Sequence, residues 1–375
     1  MKYYLIAGEA SGDLHASNLM KELAKHHNSV DFRFFGGDKM LAVGGTLVRH
    51  FKEMAFMGFV DVLANLRTIA GNLKYCKQDI QSWKPDAIVL IDYAGFNLRI
   101  AEFAKSIGTK VFYYITPKVW IWKKSRIVKL KKFTDKLYVI FPFEVDFFKS
   151  HEVEVEYFGN PLMDSYNEFR ENSEANEDFL AKNNLSDKPV VALLSGSRRD
   201  EIKRCLPDMV EASRAFPDYN FVVAGAPSIS DELYQEYLKN SSVRFLKNCT
   251  YDILKNSVAG VITSGTATLE TAIFNVPQVV VYKTSPLNYY LARLFVKITF
   301  FSLVNLISGK KVVQELLQFN IPDGIKIELS KILLEKDYRE AMLANYKELH
   351  ERVGNSGPSS RIAKSMTEYL NRNLS

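Results

Sequence analysis

Cysteine is scarce in this chain: three in 375 residues, Cys76, Cys205 and Cys249, with no CxxC pair. Together with six scattered histidines they offer no zinc-ligand spacing, which points to a reduced, cytoplasmic protein without a structural metal. Excess charge is missing from the second half. Residues 161–375 hold 26 Lys and Arg against 26 Asp and Glu, so the net +6 comes from residues 1–160, with 23 against 17. An anionic partner is therefore expected on the first half. Membrane spans are lacking too. Met54–Ile69 is too short and is interrupted by Asp61, while Leu287–Leu306 carries Arg293 and Lys297 one turn apart. The opening Met1-Lys-Tyr-Tyr-Leu-Ile-Ala-Gly8 enters a strand at once and leaves no room for a signal peptide.

What is present is ordinary globular material, 47% hydrophobic and 25% charged, and at this length two domains are expected. Short apolar runs alternate with helical periodicity throughout. Lys2–Ala7 leads through Gly8-Glu9-Ala10-Ser11-Gly12-Asp13 into a helix; this turn is not GxGxxG, yet its glycines allow a ligand close to the backbone. Pro85 precedes a buried strand ending on Asp92, the strand-tip position from which α/β enzymes present chemistry. Capping of the following helix is the alternative use of that carboxylate.

In the second half, Val190–Leu194 runs into Ser195-Gly196-Ser197-Arg198, a turn suited to a diphosphate because arginine offers a planar fork of donors. Arg198 pairing with Asp200 or Glu201 is the alternative. Val258–Ile262 then runs into Thr263-Ser264-Gly265-Thr266 and a helix carrying Glu270 one turn in. The turn aims backbone N–H groups at an anion. A carboxylate beside a phosphate is misplaced unless the ligand also offers hydroxyls, as a ribose does. Lys310–Gln318 is expected to open an amphipathic helix with Glu315 and Gln318. The pattern implies two doubly wound parallel sheets facing across a cleft, divided as 1–165, 166–335 and a helical tail 336–375 that can pack back on the first domain.

Two stretches suit a lipid surface. Residues 54–69 carry more apolar surface, including Phe56, Met57 and Phe59, than one core-facing stripe requires, with a wholly buried helix as the alternative. Residues 118–132 hold seven positive charges with Trp120 and Trp122 and no acid. Nucleic acid or a solvated helix face would fit that second stretch as well.

Taken together, GEASGDLH (8–15), EMAFMGFVDVL (53–63), PDAIVLID (85–92), FNL (96–98), VWIWK (119–123), FPFE (141–144), GSR (196–198), SGTATLE (264–270), NLISGK (305–310) and VQELLQ (313–318) resemble the lipid-A-disaccharide synthases in order and spacing. The resemblance implies the GT-B glycosyltransferase fold and transfer from a UDP-2,3-diacylglucosamine donor to 2,3-diacylglucosamine 1-phosphate. The product is a β-1,6-linked disaccharide of lipid A, with release of UDP. It implies Asp92 as base for the acceptor hydroxyl, and Arg198 with its turn, including Ser197, on the diphosphate. Ser264, Gly265 and Thr266 would form the nucleotide turn, Glu270 would hold the ribose, and Asn305, Glu315 and Gln318 other parts of the nucleotide side. Ser11 and Gly12 would line the acceptor side.

Asp-x-Asp occurs nowhere, so the metal–diphosphate anchor of other nucleotide-sugar enzymes is missing; neither metal nor cofactor is expected. The family's second acid after the strand Asp is Gly95 here. Its usual prolines before GSR and NL are Ser195 and Val304, and its GHP-like histidine is Asn160.

The expected partners are the two acylated sugars and an anionic membrane surface, with the chain peripheral on the inner leaflet of the inner membrane and no nucleic acid bound. Monomer and homodimer both stay open. The competing readings are another UDP-sugar enzyme of this fold, an epimerase or a soluble-acceptor transferase, and a non-enzymatic membrane- or RNA-surface protein.

Overall fold

The computed structural model describes residues 1–54, 65–120, 125–172, 179–286, 289 and 299–373. The chain forms two compact units, Met1–Ser165 with Gly354–Ser375, and Tyr166–Val353.

The first unit is built on seven parallel strands, β1 (Lys2–Ala7), β2 (Asp31–Gly36), β3 (Thr46–His50), β4 (Ala87–Ile91), β5 (Lys110–Tyr114), β6 (Lys136–Val139) and β7 (Glu156–Tyr157), in the order β3-β2-β1-β4-β5-β6-β7. Central strands covered by helices on both faces must be apolar on both. β1 and β4 obey this by alternation: Tyr4, Ile6, Ile88 and Leu90 join one core, while Tyr3, Leu5, Ala7, Ala87, Val89 and Ile91 join the other.

The last helix, Pro358–Asn373, lays Ile362, Met366 and Leu370 into that second core against the helix Ala10–Lys25. Each such side chain contributes about 1.5–3 kcal/mol on burial. The Asp164 carboxylate accepts from Gly357 N and Ser359 N, at 2.8 and 3.0 Å, and fixes where that helix starts. The preceding helix, Lys336–Val353, belongs to the second unit.

The second unit holds six parallel strands, β8 (Val190–Leu194), β9 (Asn220–Gly225), β10 (Arg244–Lys247), β11 (Ser257–Thr263), β12 (Gln278–Tyr282) and β13 (Gln314–Leu317), in the order β10-β9-β8-β11-β12-β13. Residues 314–317 correct the sequence reading: they form a strand, not the start of a helix. Gly309, at φ +68°, ends the helix Leu303–Ser308, and the chain after it pairs with the open edge of β12, Glu315 opposite Val280. Strand pairing overrides a short stretch of helical periodicity. The edge strand β3 and the helix Leu162–Asn172 lie outside the sequence expectation, as does Ile321–Leu334, although Ile321, Ile325, Leu329 and Ile332 recur there at helical spacing beside Pro322. Among the described residues no helix is long and apolar enough to cross a membrane.

Candidate functional site

Strand order reverses between β1 and β4 in the first unit, and between β8 and β11 in the second. Loops leaving such neighbours diverge to opposite faces and open a crevice at the carboxyl ends of the strands, where sheets of this type bind ligands. Ser11, Gly12 and Asp92 fall at the first reversal, and Ser197, Arg198, Ser264, Gly265 and Thr266 at the second.

In the first unit, Asp92 follows β4 with φ +45°, and Tyr93, the N-cap of the helix Ala94–Ser106, has φ +46°. Two successive non-glycine residues in the left-handed region cost about 1–2 kcal/mol each. The surroundings hold them there. Asp92 N donates to Tyr114 O and Ile115 O, both at 3.2 Å, and Asp92 O accepts from Tyr113 Oη at 2.6 Å and Asn97 Nδ2 at 2.9 Å. Burial keeps the Tyr113 phenol protonated, its pKa well above the ordinary tyrosine value. Asn97 is fully buried and its Nδ2 also reaches Ile91 O and Ile6 O, so it ties the ends of β1 and β4 together.

Gly8 is needed because a Cβ there would lie 2.3 Å from Tyr93 Cγ. The Tyr93 hydroxyl in turn donates to Met54 O at 2.9 Å. Ser11 is exposed and donates to Glu9 Oε1 at 2.8 Å. Gly12 is buried, where an added Cβ would lie 3.3 Å from Ala7 Cβ and 3.6 Å from Ile91 Cγ2, so it lets the first helix approach the sheet. Asp13, unmarked in the sequence, is a buried carboxylate accepting from Gly37 N, Lys39 N and Met40 N. It thereby closes the β2 loop onto the β1 loop.

At the end of β6, Glu144 accepts from Ile140 N and Phe141 N and from the Trp120 indole, at 3.1, 3.0 and 3.1 Å. Burial pushes its carboxyl up to about 7, against the pull of those donors and of Lys118. Trp120 is half-buried, edge-on to Phe143 at 5.0 Å. Phe56, Met57, Phe59 and Trp122 lie outside the described residues.

In the second unit, the β8 loop places Ser197 and Arg198 at the N-terminus of the helix Arg199–Ser213. Glu201 accepts from Ser197 N and Arg198 N through Oε2 and from Arg198 Nη1 through Oε1 at 3.2 Å. Arg198 thus makes the ion pair that the sequence left as its alternative. Arg198 is exposed and Glu201 half-buried, and ion pairs open to solvent on one side contribute about 0–1 kcal/mol, so Arg198 is weakly held. Gly196, at φ +108°, leaves room for the Glu201 carboxylate.

After β11, Gly265 is the N-cap of the helix Thr266–Ile273 at φ +156°, ψ −160°, a region open essentially to glycine alone. A Cβ there would meet nothing within 4 Å. Ser264 is turned to the protein, its hydroxyl donating to Phe301 O at 2.8 Å, whereas Thr266 is exposed. Glu270 lies one turn further on, on the face of Thr266, and accepts from Tyr251 Oη at 3.0 Å. Burial raises its carboxyl above the ordinary glutamate value, and the Tyr251 hydrogen bond opposes that shift.

Asn305, Glu315 and Gln318 are engaged with the protein itself. Glu315 accepts from Phe301 N, Ser302 N and Asn305 Nδ2. Asn305 Oδ1 accepts from Val312 N and Val313 N, and Nδ2 also donates to Val313 O. Gln318 bridges Thr284 N and Thr284 O. Among the described residues no group of three or more His, Cys, Asp or Glu side chains is placed to hold a metal ion.

The family described as lipid-A-disaccharide synthetase matches residues 3–365. The chain belongs to this family. Lipid-A-disaccharide synthase of Myxococcus xanthus is 35% identical over 374 residues, covering 98% of this chain and 97% of the relative. That of Coxiella burnetii is 32% identical over 366 residues, covering 96% of each. Among solved structures, the Methanocaldococcus jannaschii UDP-GlcNAc 2-epimerase in complex with UDP-GlcNAc and UDP is similar at a TM-score of 0.67 and 15% identity, covering 98% of this chain and 100% of that one. The Neisseria meningitidis UDP-GlcNAc 2-epimerase bound to UDP-GlcNAc gives 0.62 and 13%, covering 100% of each. These similarities show the fold, which is of GT-B type.

Against the family pattern, Asn160 is buried, its Nδ2 donating to Ile140 O and its Oδ1 accepting from Leu162 N, each at 3.0 Å. Gly95 is exposed with open space around it, so nothing steric forbids an acid there. Ser195 and Val304 are buried.

Proposed function

We propose that the chain is an inverting glycosyltransferase joining UDP-2,3-diacylglucosamine to 2,3-diacylglucosamine 1-phosphate. The observation that carries this reading is the family match along nearly the whole chain, with strand-order reversals supplying a strand-tip carboxylate in one unit and a glycine-opened helix N-terminus in the other. Asp92 takes the proton from the acceptor's 6-hydroxyl as that oxygen attacks C1 of the donor. The C1–O bond to the diphosphate breaks, and UDP leaves with the electron pair. One base and a stabilised leaving group suffice for inversion.

Arg198 and the Ser197 backbone N–H, both released from Glu201, and the first turn of Thr266–Ile273 stabilise the diphosphate without a metal. Thr266 and Glu270 face the nucleotide, Glu270 towards the ribose. Asn305, Glu315 and Gln318 serve this side by holding the turns around it. Ser11 and Gly12 border the acceptor side. The basic first half and the apolar stretch 54–69 favour attachment to the inner leaflet of the cytoplasmic membrane, where both acylated substrates reside.

The test is UDP release from donor and acceptor in the presence of EDTA. Wild type retains full activity, and Asp92→Ala lowers kcat by about 10²- to 10⁴-fold. Activity abolished by EDTA, or an unaffected variant, contradicts the mechanism.

A further inference from the structure

Glu270 occupies an unusual place for a ligand-binding carboxylate. It is half-buried, and among the described residues the one hydrogen bond to its carboxylate comes from Tyr251 Oη onto Oε1. Tyr251 lies on the neighbouring helix, Thr250–Lys255. An untethered glutamate on a helix samples several rotamers, and each must be given up on binding. Here the donor that removes this freedom is itself immobilised. The Tyr251 ring is edge-on to Phe169, with centroids 5.5 Å apart at 82°, and lies 5.0 Å from Phe274. Phe274 in turn packs against Tyr166 and Phe169. These aromatic contacts hold the phenol ring, and among the described residues its hydroxyl donates to the glutamate.

We propose that Tyr251 is a positioning residue that locks Glu270 so that its second oxygen, Oε2, is presented to the vicinal hydroxyls of the donor's ribose. The inference rests on the assignment of Glu270 to the ribose made above. Burial and the adjacent carboxylate both raise the Tyr251 pKa far above the ordinary phenol value, so the hydroxyl remains a donor at every physiological pH. Tyr251 touches no reacting atom; its effect is on donor affinity and on discrimination between ribose and deoxyribose.

The experiment is a cycle between protein and ligand, read by calorimetric binding of UDP, 2′-deoxy-UDP and 3′-deoxy-UDP to wild type, Tyr251→Phe and Glu270→Gln. Tyr251→Phe keeps the ring contacts and deletes only the hydroxyl. Wild type is expected to prefer UDP over either deoxy analogue by about tenfold, the scale of a hydrogen bond to a charged group. In Tyr251→Phe the UDP affinity falls about tenfold while the deoxy analogues change by less than about threefold, so the preference collapses. In turnover, KM for the donor rises and kcat stays within about twofold. Phe169→Leu keeps the hydroxyl but loosens the ring, and gives an intermediate preference; it decides the matter if Tyr251→Phe does not fold.

Full preference retained in Tyr251→Phe, or in Phe169→Leu, with collapse in Glu270→Gln overturns the role of Tyr251 and leaves the ribose assignment standing. No preference in wild type overturns the ribose assignment itself.

Discussion

Replacing Asn305 by Ala separates a residue that touches nucleotide from one that builds the nucleotide side. The Asn305 side chain makes four hydrogen bonds: Oδ1 accepts from Val312 N and Val313 N at 2.7 and 2.9 Å, and Nδ2 donates to Val313 O and Glu315 Oε1, both at 2.9 Å. Val312 and Val313 are buried, so water cannot substitute freely for the lost acceptor. An orphaned buried polar group costs about 1–3 kcal/mol, and with two N–H groups stranded the loss comes to roughly 3–5 kcal/mol. That is a large share of the 5–15 kcal/mol by which domains of this kind are stable, typically. Urea denaturation of wild type and variant, each without nucleotide, reads it directly. A change below about 1 kcal/mol without UDP, accompanied by a selective loss of UDP affinity, would refute the reasoning and make Asn305 a direct ligand contact.

Other outcomes follow from single features. Glu144 ordinarily titrates near 4.5, and burial raises it to about 7 in the folded chain. The neutral carboxyl is the form the fold prefers, so its contribution is fully present below about 4.5 and is lost as pH rises through about 7, a cost of roughly 3 kcal/mol. Urea midpoints measured between pH 5 and 8 should fall less in Glu144→Gln than in wild type; equal slopes reject the assignment. Gly95→Asp places an acid in the first turn of Ala94–Ser106, where an added Cβ meets no other part of the fold within 4 Å, and should raise stability by roughly 0.5–1.5 kcal/mol in thermal denaturation. Gly8→Ala drives a methyl into the Tyr93 ring and should cost about 1–3 kcal/mol. Activity should fall with it, because Asp92, the proposed base, is Tyr93's neighbour; an active, fully stable variant counts against a rigid strand tip.

The alternation of apolar strand and amphipathic helix determined, from sequence alone, two doubly wound parallel sheets, since both periodicities are local properties of the chain. The tips at Asp92, Ser197 and Gly265 were legible for the same reason: a strand that ends on a polar or glycine turn before a helix has few places to go. Which strands are neighbours is a matter of tertiary pairing. Only the pairing of β1 with β4 and of β8 with β11 puts those tips at the reversals of strand order. The partners that set each side chain's chemistry were equally hidden. Tyr251 lies 19 residues before Glu270, and Glu144 lies 24 residues after Trp120. Nothing in local periodicity marks such pairs. Residues 314–317 failed in the other direction, where a helical pattern gave way to the free edge of β12, whose unpaired backbone groups decide the conformation of whatever reaches them.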